Sequence, residues 1–500
     1  MKRLTILLSS VLLVVGLTGC GDGGSLSNGK FRENISIGLT LAPTNLDIRN
    51  TSGAALEQVL LDNVYEGLVT INEAQEVVPS LAKSWVISDD TLTYTFVLEP
   101  GITFSDATPV SAQTIADSIN DVLANQLKDF NKLGSIVSVE AKGELDLQII
   151  LSEPYVNLLW YLGGRTGIAY QINGSFDHLT EARGTGPYLV EEFKENESIT
   201  LVKNPSYWKA AQGTEATTDT IVFQYISDSN AALNALMADN IQILAPLVEN
   251  LLPTIESNED FNYAVADGTD KFTLAFNNTD EILKSKNVRV AIRKAIDHQA
   301  LINARGGKAD LPLYGPIPKI EPGYQDLSKD WTYDPDKAKE LLKVAKQENP
   351  TLTLKYANQI YGDALGDLLK SQLAEVGITL EIVPLDFTTW LNDVYTNKNY
   401  QLTIVDQANA RDFVNFTNAD YYYNYSNPQV NELYQQSQRA HDVEAEAKLL
   451  AEAAKIVSDD SPVDWLFNYR TIVAYREGMT GFPMTCNQTR LNLVNVKVPN

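Results

Sequence analysis

Cysteine is nearly absent: Cys20 and Cys486 are the only two in 500 residues. Cys20 is assigned to another role below, so Cys486 has no intramolecular partner. That excludes a disulfide framework and leaves Cys486 to be read as a small buried hydrophobe. Histidine is almost as scarce. His178, His298 and His441 stand far apart, none with a second His or Cys at ligand spacing, so neither a transition-metal site nor a cofactor is expected. Basic charge is also short, at 39 Lys and Arg against 64 Asp and Glu, for a formal charge of −25. A surface of that sign repels nucleic acid and anionic lipid and keeps the chain in solution. The catalytic signatures are missing as well: no Gly-Lys-Ser/Thr phosphate loop, His-Glu-x-x-His, Gly-x-Ser-x-Gly, or Gly-x-Gly-x-x-Gly after a strand. Acidic pairs such as Asp89-Asp90 and Asp459-Asp460 read as solvated loop residues, and no nucleophile is nominated with a base. An enzyme is not expected.

One apolar run stands out, at the start. Met1-Lys2-Arg3 precedes a mostly aliphatic stretch from Leu4 to Leu17, closed by Leu17-Thr18-Gly19-Cys20. This is the layout of a bacterial lipoprotein signal, with residues 1–19 removed and Cys20 acylated as the new N-terminus. The run is shorter than the roughly 20 residues a helix needs to cross the hydrocarbon core. Residues 20–33 begin with Gly, Ser and Asn and read as a flexible tether. The expectation is a protein outside the cytoplasm, in the periplasmic space or on the outer face of the membrane, attached by lipid alone.

Beyond the tether, strand and helix patterns interleave. Ile35 to Leu41 alternates as a strand, and Ala54 to Val69 carries helical spacing. Leu92, Tyr94, Phe96 and Leu98 alternate with Thr91, Thr93, Thr95 and Val97. Ser111 can cap a helix with Ile115, Ile119, Val122 and Leu123 on one face. Asp334-Pro335 opens a helix striped by Ala338, Leu341, Leu342 and Ala345; another, with Leu365, Leu368, Leu369 and Val376, closes at Gly377. Strands Leu352 to Tyr356, Thr379 to Val383 and Gln401 to Val405 flank these helices. The class is α/β.

Several stretches, taken in order, resemble the family 5 extracellular solute-binding proteins of ABC transporters, the group of oligopeptide-, dipeptide- and nickel-binding proteins. They are Tyr65-Glu66-Gly67-Leu68-Val69, Val78-Pro79-Ser80-Leu81-Ala82-Lys83-Ser84-Trp85, Tyr94-Thr95-Phe96-Val97-Leu98, Gly101-Ile102-Thr103-Phe104-Ser105-Asp106, Gly184-Thr185-Gly186-Pro187-Tyr188, Asn204-Pro205-Ser206-Tyr207-Trp208, Phe276-Asn277-Asn278, Val288 to Ile292, Ala295-Ile296-Asp297, and Tyr333 to Ala338 before Leu341-Leu342. The resemblance implies a two-lobed periplasmic-binding-protein-like fold with a hinge and an early inserted subdomain. Lobe I would take residues 34–53, 183–267 and 468–500, with C-terminal strands near Ile472 to Tyr475 and Leu491 to Val498. The insert would span 54–182 and lobe II 268–467. The Gly184-Thr185-Gly186-Pro187 turn suits a reversal beside ligand or hinge.

The resemblance further implies a monomeric receptor that closes over a small solute, a peptide first, and delivers it to ABC permease subunits. A nickel chelate, an oligosaccharide or another small organic solute is the alternative on the same scaffold, and a surface-anchored hydrolase the rival class. In peptide-binding relatives an Asp of the second lobe meets the ligand's α-amino group. The matching stretch, Ile404 to Phe416, has Asn409 there, with Asp406 and Asp412 as substitutes and Gln407 and Arg411 beside them. The other wall would come from Leu46 to Ala54, with Ser52 and Gly53 as contacts and Arg49, like Arg411, as an anion partner. Trp390 and the Tyr421-Tyr422-Tyr423 run could line the cleft.

Overall fold

The computed structural model describes residues 31–51, 53–357, 363–486 and 489–500. Cys20, the signal and nearly all of the tether lie outside the described residues. Helix and strand alternate as expected, and the larger sheets carry separate hydrophobic cores.

The first sheet has seven strands in the spatial order Phe261–Ala266, Thr471–Arg476, Ile243–Leu247, Asn34–Leu39, Thr220–Tyr225, Ser198–Lys203 and Tyr188–Lys194. Asn34–Leu39 runs parallel to both of its neighbours, so the loop after Leu39 leaves from the carboxyl edge of three strands. The second sheet has five strands in the order Thr379–Leu385, Thr351–Ala357, Leu402–Gln407, Lys271–Phe276 and Val463–Asn468. Its first three are parallel, so the chain after Gln407 also leaves from a carboxyl edge. In open α/β sheets, ligand crevices form outside such edges.

A third, antiparallel sheet (Ala82–Ile87, Thr93–Leu98, Asp146–Leu151, Ile136–Ala141) packs on the helix Ala112–Ala124. Ser111 caps that helix by accepting from the Thr114 amide, and Ile115, Ile119 and Val122 bury its inner face. Tyr94, Phe96 and Leu98 point inward on alternate strand positions. This unit is fastened to the first sheet by Glu66, a buried carboxylate that accepts from Thr185 Oγ1, Tyr207 OH and Trp208 Nε1 at 2.8 Å each and from Lys209 Nζ at 3.3 Å. Four donors offset the cost of burying its charge.

The chain passes between the two large sheets twice. It goes from Phe261–Ala266 to Lys271–Phe276 through residues 267–270, and returns from Val463–Asn468 to Thr471–Arg476 through Tyr469 and Arg470. The crossings are stitched together: Asn468 Nδ2 donates to the Asp270 carbonyl at 2.8 Å, and Arg470 pairs with Asp267 at 2.9 Å.

Two local expectations fail. The helix expected over Ala54 to Val69 stops at Leu60, because Asp62 adopts a φ of 63° and turns the chain. Leu491 to Val498 forms no ladder; Leu491, Leu493, Val496 and Val498 are buried, but Leu493 N donates to Asn63 Oδ1 and Lys497 N to the Thr480 carbonyl. The strand that the resemblance implies there is replaced by isolated bridges such as Thr480 with Lys497. At Gly184 and Gly186 a Cβ would lie 1.8 Å and 2.3 Å from the carbonyl oxygens of Val64 and Asn63, so the turn lets the first lobe's backbone touch that of the insert.

Candidate functional site

The loop from Asn45 to Gly53, leaving the first sheet's carboxyl edge, is held by cations from beneath. Arg165, in the inserted unit, donates through Nη1 to the carbonyls of Ile48 (2.9 Å) and Thr51 (2.7 Å), through Nη2 to Gly53 (3.3 Å), and through Nε to Glu57 at 2.8 Å. Arg49 turns inward. It is buried, donates to the Ser118 carbonyl at 3.0 Å, pairs with Asp121 at 3.1 Å and lies 4.6 Å over the Tyr170 ring. Its Nη2 is thus engaged by the scaffold, while Nε and Nη1 are buried without a hydrogen bond among the described residues. Gly53 is exposed at φ 110°, a conformation that L side chains rarely adopt, and caps the helix that follows. Ser52 lies outside the described residues.

The second candidate segment, 406–412, is built on buried charge. Lys271, 2% exposed at the start of its strand, pairs with Asp412 at 3.2 Å and donates to the carbonyls of Thr269 (2.9 Å) and Asn409 (3.2 Å). Burial works against its charge, but Asp412 and Glu321 hold its pKa above the ordinary lysine value. Asp412 thus has an internal cation. Gln407 is also internally satisfied, donating to Tyr422 OH at 2.8 Å and accepting from Tyr421 OH at 3.4 Å. Asn409 has an exposed side chain. Arg411, at φ 52°, donates its backbone N–H to Glu321 at 3.1 Å and pairs with Glu446 at 3.4 Å. Trp390 lies in the core of the second lobe, its indole N–H donating to Thr403 Oγ1 at 2.9 Å, so the cleft role considered for it gives way to packing.

Carboxylates outnumber cations here. Burial pushes Glu321 up to about 7, although Lys271 works in the other direction. Burial, then the Asp406 charge, raises Asp270; burial raises Asp406 against the charges of Lys271 and Arg305. A small cavity at the chain crossings is lined by Gly268, Thr269, Asp270, Tyr469, Thr471 and Cys486. Cys486 is half-buried, not fully buried as expected, and burial with the nearby carboxylates pushes its thiol up to about 12. It is no nucleophile at neutral pH.

The sequence reading missed Arg165, Lys271, Asp270 and Glu321. Lys271 left one trace, a charge opening the otherwise apolar strand Phe272–Phe276. Arg165 left none, because its main partners are backbone carbonyls of a loop distant in sequence.

Residues 76–432 match the family described as bacterial extracellular solute-binding proteins, family 5 Middle. The chain belongs to that family. Its members work outside the cytoplasm, binding small solutes as partners of ABC permeases, and are not enzymes. The glutathione-binding protein GsiB of Escherichia coli K12 is 25% identical over 467 residues, covering 85% of this chain and 87% of that one. DppA, a periplasmic binding protein from Helicobacter pylori solved in complex with the peptide STSA, superimposes with a TM-score of 0.77 at 21% identity, over 94% of this chain and 99% of its own. NikA from Staphylococcus aureus in complex with Ni(L-His)2 gives 0.72 at 19%, over 93% and 100%. The fold is that of these binding proteins. Among the described residues no helix is long and apolar enough to cross a membrane.

Proposed function

We propose that this family 5 protein is a monomeric lipoprotein, tethered through Cys20, that captures a peptide by closing two lobes and delivers it to its permease. The lobes divide as 34–53, 183–267 and 468–500 against 268–467, with 54–182 riding on the first. The observation that supports the ligand class is the cluster of carboxyls near the chain crossings: Asp270 and Glu321, both raised by burial, stand near Lys271, which Asp412 already engages. A ligand ammonium group would answer that cluster, and buried carboxylates favour such a counter-charge. Asp406 is the residue proposed to meet it, with Gln407 shaping the wall and Ser52, Gly53 and Asn409 offering polar contacts to the ligand backbone. The names of GsiB and of the peptide complex of DppA agree with that class.

Native mass spectrometry of the protein as purified tests the reading. One peptide-sized mass per chain, released on denaturation, is expected. A bound sugar or metal chelate would overturn the peptide assignment, and the lack of any bound mass after exposure to a peptide mixture would overturn solute capture. The tether is tested separately: Cys20→Ala should leave the protein unprocessed or free of the membrane, and a processed, membrane-bound variant would contradict it.

A further inference from the structure

The insert and the second lobe meet around one buried side chain. Asn157 opens the short helix Leu158–Leu162 and is 4% exposed. Its amide nitrogen donates to Gln438 Oε1 at 3.0 Å and to Glu446 Oε1 at 2.9 Å, and its amide oxygen accepts from Arg411. Three of the four hydrogen bonds open to an amide side chain are thereby made, all to the second lobe. Around it the Val156 amide donates to the Gln438 carbonyl at 3.0 Å, the Arg411 guanidinium lies 4.3 Å over the Trp160 ring, and Arg439 pairs with Glu153 at 2.8 Å.

The socket around Asn157 is polar and buried. Glu446 is 1% exposed, and burial raises its pKa despite Arg411. Arg411 and Glu446 both belong to the second lobe, so their pairing does not need the insert. What the insert contributes is a neutral group with donors for the carboxylate and an acceptor for the guanidinium. Each half of the match is left wet or unsatisfied when the halves part.

We infer that Asn157 is the bolt of a closure latch: inserted between Arg411, Gln438 and Glu446, it stabilises the closed arrangement through protein groups alone. The inference rests on the solute-capture reading for the motion, but the contacts involve no solute. The latch keeps a fraction of the empty protein closed, and a binder whose competent form is a fraction of the total loses apparent affinity in proportion to that fraction. Removing the bolt therefore weakens all ligands by one common factor, whatever their chemistry.

The test needs no ligand. Protein stripped by unfolding and refolding is compared with Asn157→Asp and Gln438→Ala variants by hydrogen exchange on the segment 153–162. Asn157→Asp sets a carboxylate against Glu446, while Gln438→Ala removes one acceptor and leaves the insert intact. The Val156 amide should exchange several-fold faster in both variants than in the wild type, with exchange in the 93–98 strand unchanged as the control for folding. Equal exchange at Val156 in all three proteins would overturn the latch. That result would leave solute capture standing, since mass spectrometry reads capture independently.

Discussion

The two segments proposed as walls of the ligand cleft are held in opposite ways. The 45–53 loop is fixed by buried cations: Arg165 donates to its backbone carbonyls, and Arg49 pairs with Asp121 beneath it. The 406–412 segment is fixed by one lysine set among more carboxylates than it can neutralise. The first segment is scaffold, and the second carries the carboxyls proposed to meet a ligand. A residue's type does not show its role: Arg49, a candidate anion partner by type, pairs inside the scaffold with Asp121 and the Ser118 carbonyl.

The largest expected effect breaks the second wall. Lys271→Met strands Asp412 beside Glu321 in a buried site and should cost about 3–5 kcal/mol, the range for an orphaned buried charge, in urea unfolding. Next comes the first wall. Arg165→Ala frees three backbone carbonyls and should cost about 2–3 kcal/mol while loosening the loop, read as faster exchange at residues 48–51. If Arg165→Ala proved the more damaging, the contrast between the walls would be reversed.

Smaller effects sharpen the contrast. Asp406→Asn should weaken an amine-bearing ligand about a hundredfold, equivalent to roughly 2.7 kcal/mol, in calorimetry with the retained ligand. Asn409→Ala should cost well under that. A neutral ligand would invert the order. Glu321 supplies a pH signature. Its folded pKa of about 7 lies above the ordinary 4.5, so the folded state holds the proton more tightly. Its stabilising contribution is complete below the ordinary value and is lost as pH rises through about 7. The melting temperature should fall between about pH 5 and pH 8, and Glu321→Gln should flatten that slope.

Much of the fold was legible because local rules act locally. Ser111 and Asp334 cap the helices expected of them, and Tyr94, Phe96 and Leu98 face the core at the expected period. The failures lie where distant backbone intervenes. The turn at Asp62 ends a good helical pattern, and Leu491 to Val498 is buried through bonds to Asn63 and Thr480 instead of a neighbouring strand. The site was legible as a segment and not as a set of roles. The 406–412 stretch was found, yet Lys271, which decides that Asp412 is internal, stands 141 positions away. Ion-pair assignments across such a gap are made by the fold.

Small-angle scattering of the protein carrying its retained solute, and again after stripping, tests the central claim that solute is held between these two walls. The account predicts a smaller radius of gyration with solute bound, because loading drives a partly latched population fully closed. An identical radius in the two states, with one solute bound per chain in the first, would contradict it.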